Sequence, residues 1–355
     1  MTREGIFYWK CDRPLDAEAK RQSYSAGHYE GEVLAAAQAI AEAFAGGALP
    51  PLVRLAVDGN HGAFRFACAG REYVLRCDDG RGNDDYLLAE SAVLAVLRER
   101  GLSVPAVHAT DVSRDRHPLR YQIIDFCPQP PLLEHLRAGY LDKPAMAAQM
   151  ADFLAELHRC QLPGFGFIDT QRLAGSGELH GSLARWSDYF DTCLDRHTAY
   201  LRDHAVLPAG TLDHMLAVFS RERGLLEVDR GVLLHRDFAW WNILGTPDRI
   251  AAVIDWDDAV VGDPADDLGI VACFCEPAFF DRLLAAYSAH HPVDAGFRPR
   301  IALSTLRNMA WKMVIRHELG YFDRDRGFFL SAIGGDRTLR EQSLDVIERA
   351  LGVFT

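Results

Sequence analysis

His235, Arg236, Asp237 and Asn242 crowd into one short stretch, with the acid and the amide five positions apart between apolar runs at 232–234 and 243–244. A second acid, Asp255, follows Asp237 by 18 residues and closes the apolar run 251–254. Phosphoryl transfer asks for few protein groups beyond these. One carboxylate takes the proton of the attacking hydroxyl, while an amide oxygen and a second carboxylate hold magnesium against the nucleotide phosphates. Magnesium suits a small number of hard oxygen ligands, because it keeps some of its own waters. A tight loop bearing acid and amide, followed by a hairpin that returns the second acid, can bring all three together.

The downstream segment adds a second pattern: Ile254, Asp255, Trp256, Ala259, Gly262, Asp263, Pro264 and Asp267. With the His235–Asn242 loop, it resembles the catalytic core of the aminoglycoside phosphotransferase and choline kinase-like family, which shares the protein-kinase fold. That family's loop reads roughly H-G-D-x-x-x-x-N, and Arg236 stands here in place of the commoner glycine. The resemblance implies that Asp237 is the catalytic base and that Asn242 and Asp255 bind Mg²⁺. It also implies that His235 braces the loop and that Asp263 and Asp267 fix the segment after the metal acid. An acid ahead of "LGIV" equally suits a helix N-cap, the stronger reading for Asp263. Trp240 and Trp241 fill positions that are often small in the family. Either they pack the loop against the helical half, or they form an apolar wall for a sugar-like acceptor.

The elements that must position these groups change character along the chain. Residues 32–45 read as an alanine-rich helix stopped by Gly46-Gly47. Three short strands follow at about 52–57, 63–68 and 72–77, then a helix over 85–100 and a strand at 120–126. "CPQPP" reads as a linker, since proline cannot donate to a sheet ladder. Beyond it the patterns at 144–159, 185–225 and most of 277–352 are helical, with short strands only at 232–234 and 250–254. The expected fold is α+β, a protein-kinase-like arrangement of two lobes. It has an N-terminal extension at 1–35, a nucleotide-binding sheet lobe at 36–126 and a helical lobe at 127–355.

Such a first lobe should supply a phosphate-binding cation and an acid that orients it. Arg76 in the third strand stands where the family usually has lysine, and Glu90 lies 14 residues on in the next helix. Arginine's planar fork can take two phosphate oxygens at once. "GREYVLRC" resembles the same stretch of the hygromycin B phosphotransferases, as do "GFGFID" and "ARWSDYF" more faintly. By the family's order, the backbone of Asn60, His61 and Gly62 would cover the phosphates. The backbone near Asp125, Phe126 and Cys127 would receive adenine.

Composition bounds the rest. A net charge of −12 argues against a nucleic-acid surface and suits a cationic ligand. Asp257, Asp258, Glu276 and Asp323 are the acids expected near the acceptor. No apolar run reaches the ~18 residues of a membrane span, the first residues show no secretory pattern, and the dispersed cysteines suit a reduced cytoplasm. There is no Walker-type phosphate loop, and 14 histidines include no H-E-x-x-H zinc pattern. The expected activity is transfer of the γ-phosphate of ATP or GTP to a small-molecule hydroxyl, with an aminoglycoside or aminocyclitol leading. The alternatives are a metabolic kinase for a sugar, cyclitol, amino alcohol or choline-like substrate, and a catalytically silent nucleotide-binding module.

Overall fold

Alternation of burial explains the first sheet. In β2 (Gly62–Cys68) and β3 (Arg71–Asp78), Phe64, Phe66, Tyr73 and Leu75 turn inward. They meet Ala37, Ile40 and Ala41 on the helix Glu32–Ala45 and Ile123 on β5 (Arg120–Asp125). Burying side chains of this size stabilises a fold by roughly 1.5–3 kcal/mol each. The helix ends where Gly46 takes φ 73°, a left-handed cap that glycine enters freely. With β1 (Val53–Arg54) and β4 (Val107–Asp111) the sheet runs β1-β2-β3-β5-β4, antiparallel throughout. Its main helix is Tyr86–Glu99.

This is a computed structural model, and it describes residues 31–55, 62–78, 85–324, 330 and 337–355. By contact the chain divides into two units. One comprises the residues up to Pro128 with Thr170–Glu178, and the other comprises Gln129–Asp169 with Leu179–Thr355. The helix Thr170–Ser176 therefore groups with the first sheet. The first expected strand, 52–57, is described only as Val53–Arg54.

The second unit is mostly helical, yet it holds more strand than the sequence suggests. A five-stranded antiparallel sheet runs β6-β9-β12-β7-β8, built from Gln161–Leu162, Gly231–Leu234, Val260–Gly262, Phe165–Ile168 and Gly181–Leu183 in that order. A separate hairpin pairs β10 (Ile243–Thr246) with β11 (Arg249–Val253). Pieces of two to four residues carry no period that a sequence reading can catch. The 22-residue helix Phe297–Glu318 is buried on all sides from Ile301 to Val314 and packs along Pro264–Phe274. Among the described residues, no helix is long and apolar enough to cross a membrane.

Gly262 shows why one motif position excludes a side chain. A Cβ there would lie 2.7 Å from Trp186 Cη2 and 2.8 Å from Leu234 Cδ1, on the inner side of β12. Gly262→Ala should therefore destabilise by about 1–3 kcal/mol. Urea unfolding of wild type and variant measures it, and an unchanged midpoint would mean that this contact is not tight.

Candidate active site

The loop after β9 is held from beneath. The backbone N–H groups of His235 and Arg236 donate to the two carboxylate oxygens of Asp267, at 2.9 and 2.8 Å. Asp267 lies in the first turn of Pro264–Phe274 and is fully buried. Burial opposes its charge, but the His158 ring and the loop N–H of His235 outweigh that and hold it below the usual carboxylate range. His158 Nε2 approaches at 3.3 Å, and His158 Nδ1 meets the Tyr287 hydroxyl at 2.8 Å. Asp263 has a different task. It caps the same helix by accepting from the Ala265 N–H at 3.0 Å, and Arg300 Nε donates to it at 2.8 Å.

His235 links the loop to the hairpin. Its Nε2–H donates to the Ile254 carbonyl at 3.0 Å, while its Nδ1 accepts the Asp237 N–H at 3.2 Å. That pattern requires a neutral ring, and burial lowers its pKa from the ordinary histidine value. Arg236 adopts φ 70°, a left-handed conformation that glycine enters without cost. The usual glycine at this position thus has a backbone reason. Here the arginine fills a buried polar niche instead. Its guanidinium pairs with Asp266 and donates to Asn308 Oδ1 at 2.9 Å and the Tyr189 hydroxyl at 3.0 Å. Burial works against that charge, but Asp266 holds its pKa above the ordinary arginine value.

The hairpin brings amide and second acid together. Ile243 pairs with Val253, and the Ile254 N–H donates to the Asn242 carbonyl at 2.9 Å, so Asn242 and Asp255 flank the same rung. Asp255 takes φ 68° directly after it. The Asn242 side-chain nitrogen donates to the Asp237 carbonyl and to Asp237 Oδ2, both at 2.9 Å. Trp241 Nε1 reaches the same Oδ2 at 3.2 Å. The tryptophan pair therefore divides. Trp240 is buried, with its N–H on the Phe274 carbonyl at 3.0 Å and its ring on Phe279. Trp241 is half-buried beside the acid and meets Phe274 edge to face.

The donor set fits magnesium. With its nitrogen committed to Asp237, the Asn242 amide turns its hard oxygen away, and that oxygen has no hydrogen bond among the described residues. Among those residues no cluster of three or more His, Cys, Asp or Glu could hold a metal. One amide and one carboxylate suit an ion that takes its remaining ligands from phosphate and water.

The first unit supplies the ion pair. Arg76 lies opposite Gln122 on β5 and Ala63 on β2, is 6% exposed, and pairs through Nη1 with Glu90, which is 1% exposed. A surface position for Arg76 is thereby excluded. Gly62 opens β2 opposite Cys77, while Asn60 and His61 fall outside the described residues. Of the three expected adenine contacts, the Asp125 N–H is taken by the Ala106 carbonyl and the Phe126 N–H by Glu72. Cys127 is the one of the three whose backbone N–H makes no such bond among the described residues. Of the four acids expected near an acceptor, Glu276 is paired with Lys143 at 2.9 Å and Asp257 is buried.

Several participants escape a sequence reading: His158, Tyr287, Asp266, Asn308 and Lys312. Lys312 is buried, with its ammonium 4.5 Å above the Phe274 ring. Burial brings its pKa down to about 8, against the pull of the Asp237 charge.

An antiparallel sheet with one main helix, and a largely helical unit carrying the acid–amide loop, define a protein-kinase-like α+β enzyme. Residues 52–299 match the model of the APH phosphotransferase enzyme family, and the chain belongs to that family. It is similar to the hygromycin-B 4-O-kinase of Escherichia coli, with 29% identity over 269 residues covering 72% of each chain. Aminoglycoside phosphotransferase APH(4)-Ia superposes with a TM-score of 0.61 at 20% identity, over 88% of this chain and 98% of that one. The macrolide 2'-phosphotransferase MphH of Brachybacterium faecium gives 0.55 at 18%, over 86% and 99%. At these identities the two structures show the fold alone.

A pH dependence follows from His235. Because its folded pKa is depressed, its contribution is present above the unfolded value of about 6.5 and is lost as pH falls towards the folded one. Stability should decline from about pH 6.5 downwards, by at most ~1.4 kcal/mol per unit from this group. His235→Asn should unfold more easily near pH 7 but lose less than wild type on going to about pH 5.5. Equal losses, measured by denaturant titration at both pH values, would assign the dependence elsewhere.

Proposed function

We propose that the protein transfers the γ-phosphate of ATP or GTP, as its magnesium complex, to a hydroxyl of an aminoglycoside or aminocyclitol acceptor. The observation that carries this reading is the state of the Asp237 carboxylate. Asn242 and Trp241 both donate to Oδ2, which leaves Oδ1 to accept the proton of an incoming hydroxyl. As that proton passes to Oδ1, the acceptor oxygen attacks the γ-phosphorus and the nucleoside diphosphate departs. Asn242 Oδ1 and Asp255 would hold magnesium, which supplies charge neutralisation at the phosphates. Arg76, oriented by Glu90, would hold phosphate oxygens. Cys127 would offer its backbone to the base, and Gly62 with Asn60 and His61 would cover the phosphates.

The similarity to a hygromycin-B 4-O-kinase and the acidic balance of −12 support the acceptor class. A cytoplasmic setting suits the seven free cysteines of the described residues. A nucleotide-consumption screen over aminoglycosides, aminocyclitols and sugars tests the acceptor. Turnover confined to neutral sugars would replace this reading with a metabolic kinase.

Two substitutions test the machinery. Asp237→Asn should lower kcat by about 10²–10⁴ while nucleotide binding, followed by calorimetry, persists. Wild-type turnover in that variant would remove Asp237 as the base. Arg76→Ala should raise the KM for ATP at least about tenfold, the loss of one charge-assisted hydrogen bond of about 1.5–3 kcal/mol. Arg76→Lys should raise it less, because charge remains while the fork is lost. Unchanged ATP kinetics in Arg76→Ala would sever that residue from the nucleotide.

A further inference from the structure

We propose that a cavity at the C-terminal end of the helix Pro264–Phe274 binds an oxyanion, a carboxylate or phosphate group, on the guanidinium of Arg316. The site goes beyond the phosphotransfer reading, because it requires neither Asp237 nor a nucleotide. The cavity, about 270 Å³, is lined by Phe274, Arg316, Arg337, Ser343, Val346 and Arg349, among others.

Charge within it is unbalanced. Arg316 is 4% exposed, and its one polar partner among the described residues is Ser343 Oγ, at 2.6 Å from Nη1. That hydroxyl in turn donates its hydrogen bond to the Leu339 carbonyl. No carboxylate of the described residues pairs with Arg316. Arg337 and Arg349 share a single acid, Asp345, at 3.2 and 2.5 Å. The acid that does line the cavity, Glu276, is bonded to Lys143. One turn before Arg316, the buried Lys312 stands over the same Phe274 ring, at 4.5 Å against 6.0 Å for the guanidinium. Two like charges thus lie buried on neighbouring turns; Lys312 feels the charge of Asp237, and among the described residues no acid forms an ion pair with Arg316.

The helix end does not account for them. The Phe274 carbonyl, which a cation could cap, is already taken by Trp240 Nε1. The remaining dipole effect is small beside the desolvation of a guanidinium. Burial alone brings Arg316 down to about 10. A buried cation with one neutral partner, open to a cavity large enough for a small organic ion, is a place for an anion. The planar fork of arginine suits two oxygens of a carboxylate or phosphate. Phe274, Val346 and Leu339 offer apolar surface to whatever carries the group.

Inorganic phosphate and a hexose phosphate, titrated at constant ionic strength into the full chain with saturating Mg-ADP, test the site. Either should raise the wild-type Tm by about 2–4 °C near tenfold excess over its Kd. A response to phosphate alone marks a free ion as the source, and a response to the hexose phosphate marks an ester. Asp237→Asn should keep the response, which separates this site from the transfer reading. Arg316→Gln should lose it and, without ligand, be no less stable than wild type, since it removes an uncompensated charge. No response in wild type, or an equal one in Arg316→Gln, overturns the proposal. If that variant does not fold, Arg316→Lys decides. It keeps the charge and loses the fork, so its phosphate affinity should fall roughly three- to tenfold, and an unchanged affinity overturns the proposal.

Discussion

The carboxylate of Asp267 is sealed from water, and three lines of structure end on it. The N–H groups of His235 and Arg236 arrive from the loop, and the His158 ring arrives from the end of the helix Lys143–Leu157. Each charge-assisted hydrogen bond in such a setting contributes about 1.5–3 kcal/mol. Without the acid, two backbone N–H groups would be buried with no acceptor. The position of Asp267 is in turn set by the start of its own helix, where Asp263 caps and Pro264 occupies the first turn. The backbone of the His235–Asn242 loop is thus located by a helix that begins only after the hairpin has ended.

What hangs on that anchor is delivered by backbone hydrogen bonds. His235 reaches the Ile254 carbonyl, and the Ile254 N–H reaches the Asn242 carbonyl, so loop and hairpin are laced before any side chain is counted. The two non-glycine residues of this region in left-handed conformations, Arg236 and Asp255, lie at the ends of that lacing. Such conformations persist where the surroundings over-determine them. The side chains of Phe238, Ala239 and Trp240 are buried beneath the loop. Their identities can vary with the packing below, while the acid and the amide stay where the backbone holds them.

The polar groups were legible because their types and spacing are dictated by chemistry, and the hairpin because an apolar run ends at Asp255. Arg76 and Glu90 were legible for the same reason: strand and helix, 14 residues apart, meet as an ion pair. Other features had no signature. The sheet of the second unit is made of pieces too short to show a period. Trp240 and Trp241 are identical in sequence terms, yet one is a packing residue and the other donates to Asp237. Lys312 and Arg316 sit in the helix Phe297–Glu318, buried on all sides from Ile301 to Val314. Nothing in their local sequence marks these two positions as buried. Asp263 was legible as the helix cap, which it is; whether Asp267 caps or braces the loop depends on what lies beneath the loop, and local spacing cannot say.

Arg236 carries a historical consequence. At φ 70° a glycine would be the easy occupant, and the arginine is tolerated because Asp266, Asn308 and Tyr189 receive its guanidinium. Those three have come to depend on it as much as it depends on them. Reverting to glycine would relax the backbone and at the same stroke strand a buried aspartate. Installing arginine in a relative that lacks the niche would bury a charge with nowhere to go. Neither step is neutral alone, so the residue is entrenched. The identity of this one residue is therefore coupled to the three side chains that receive it.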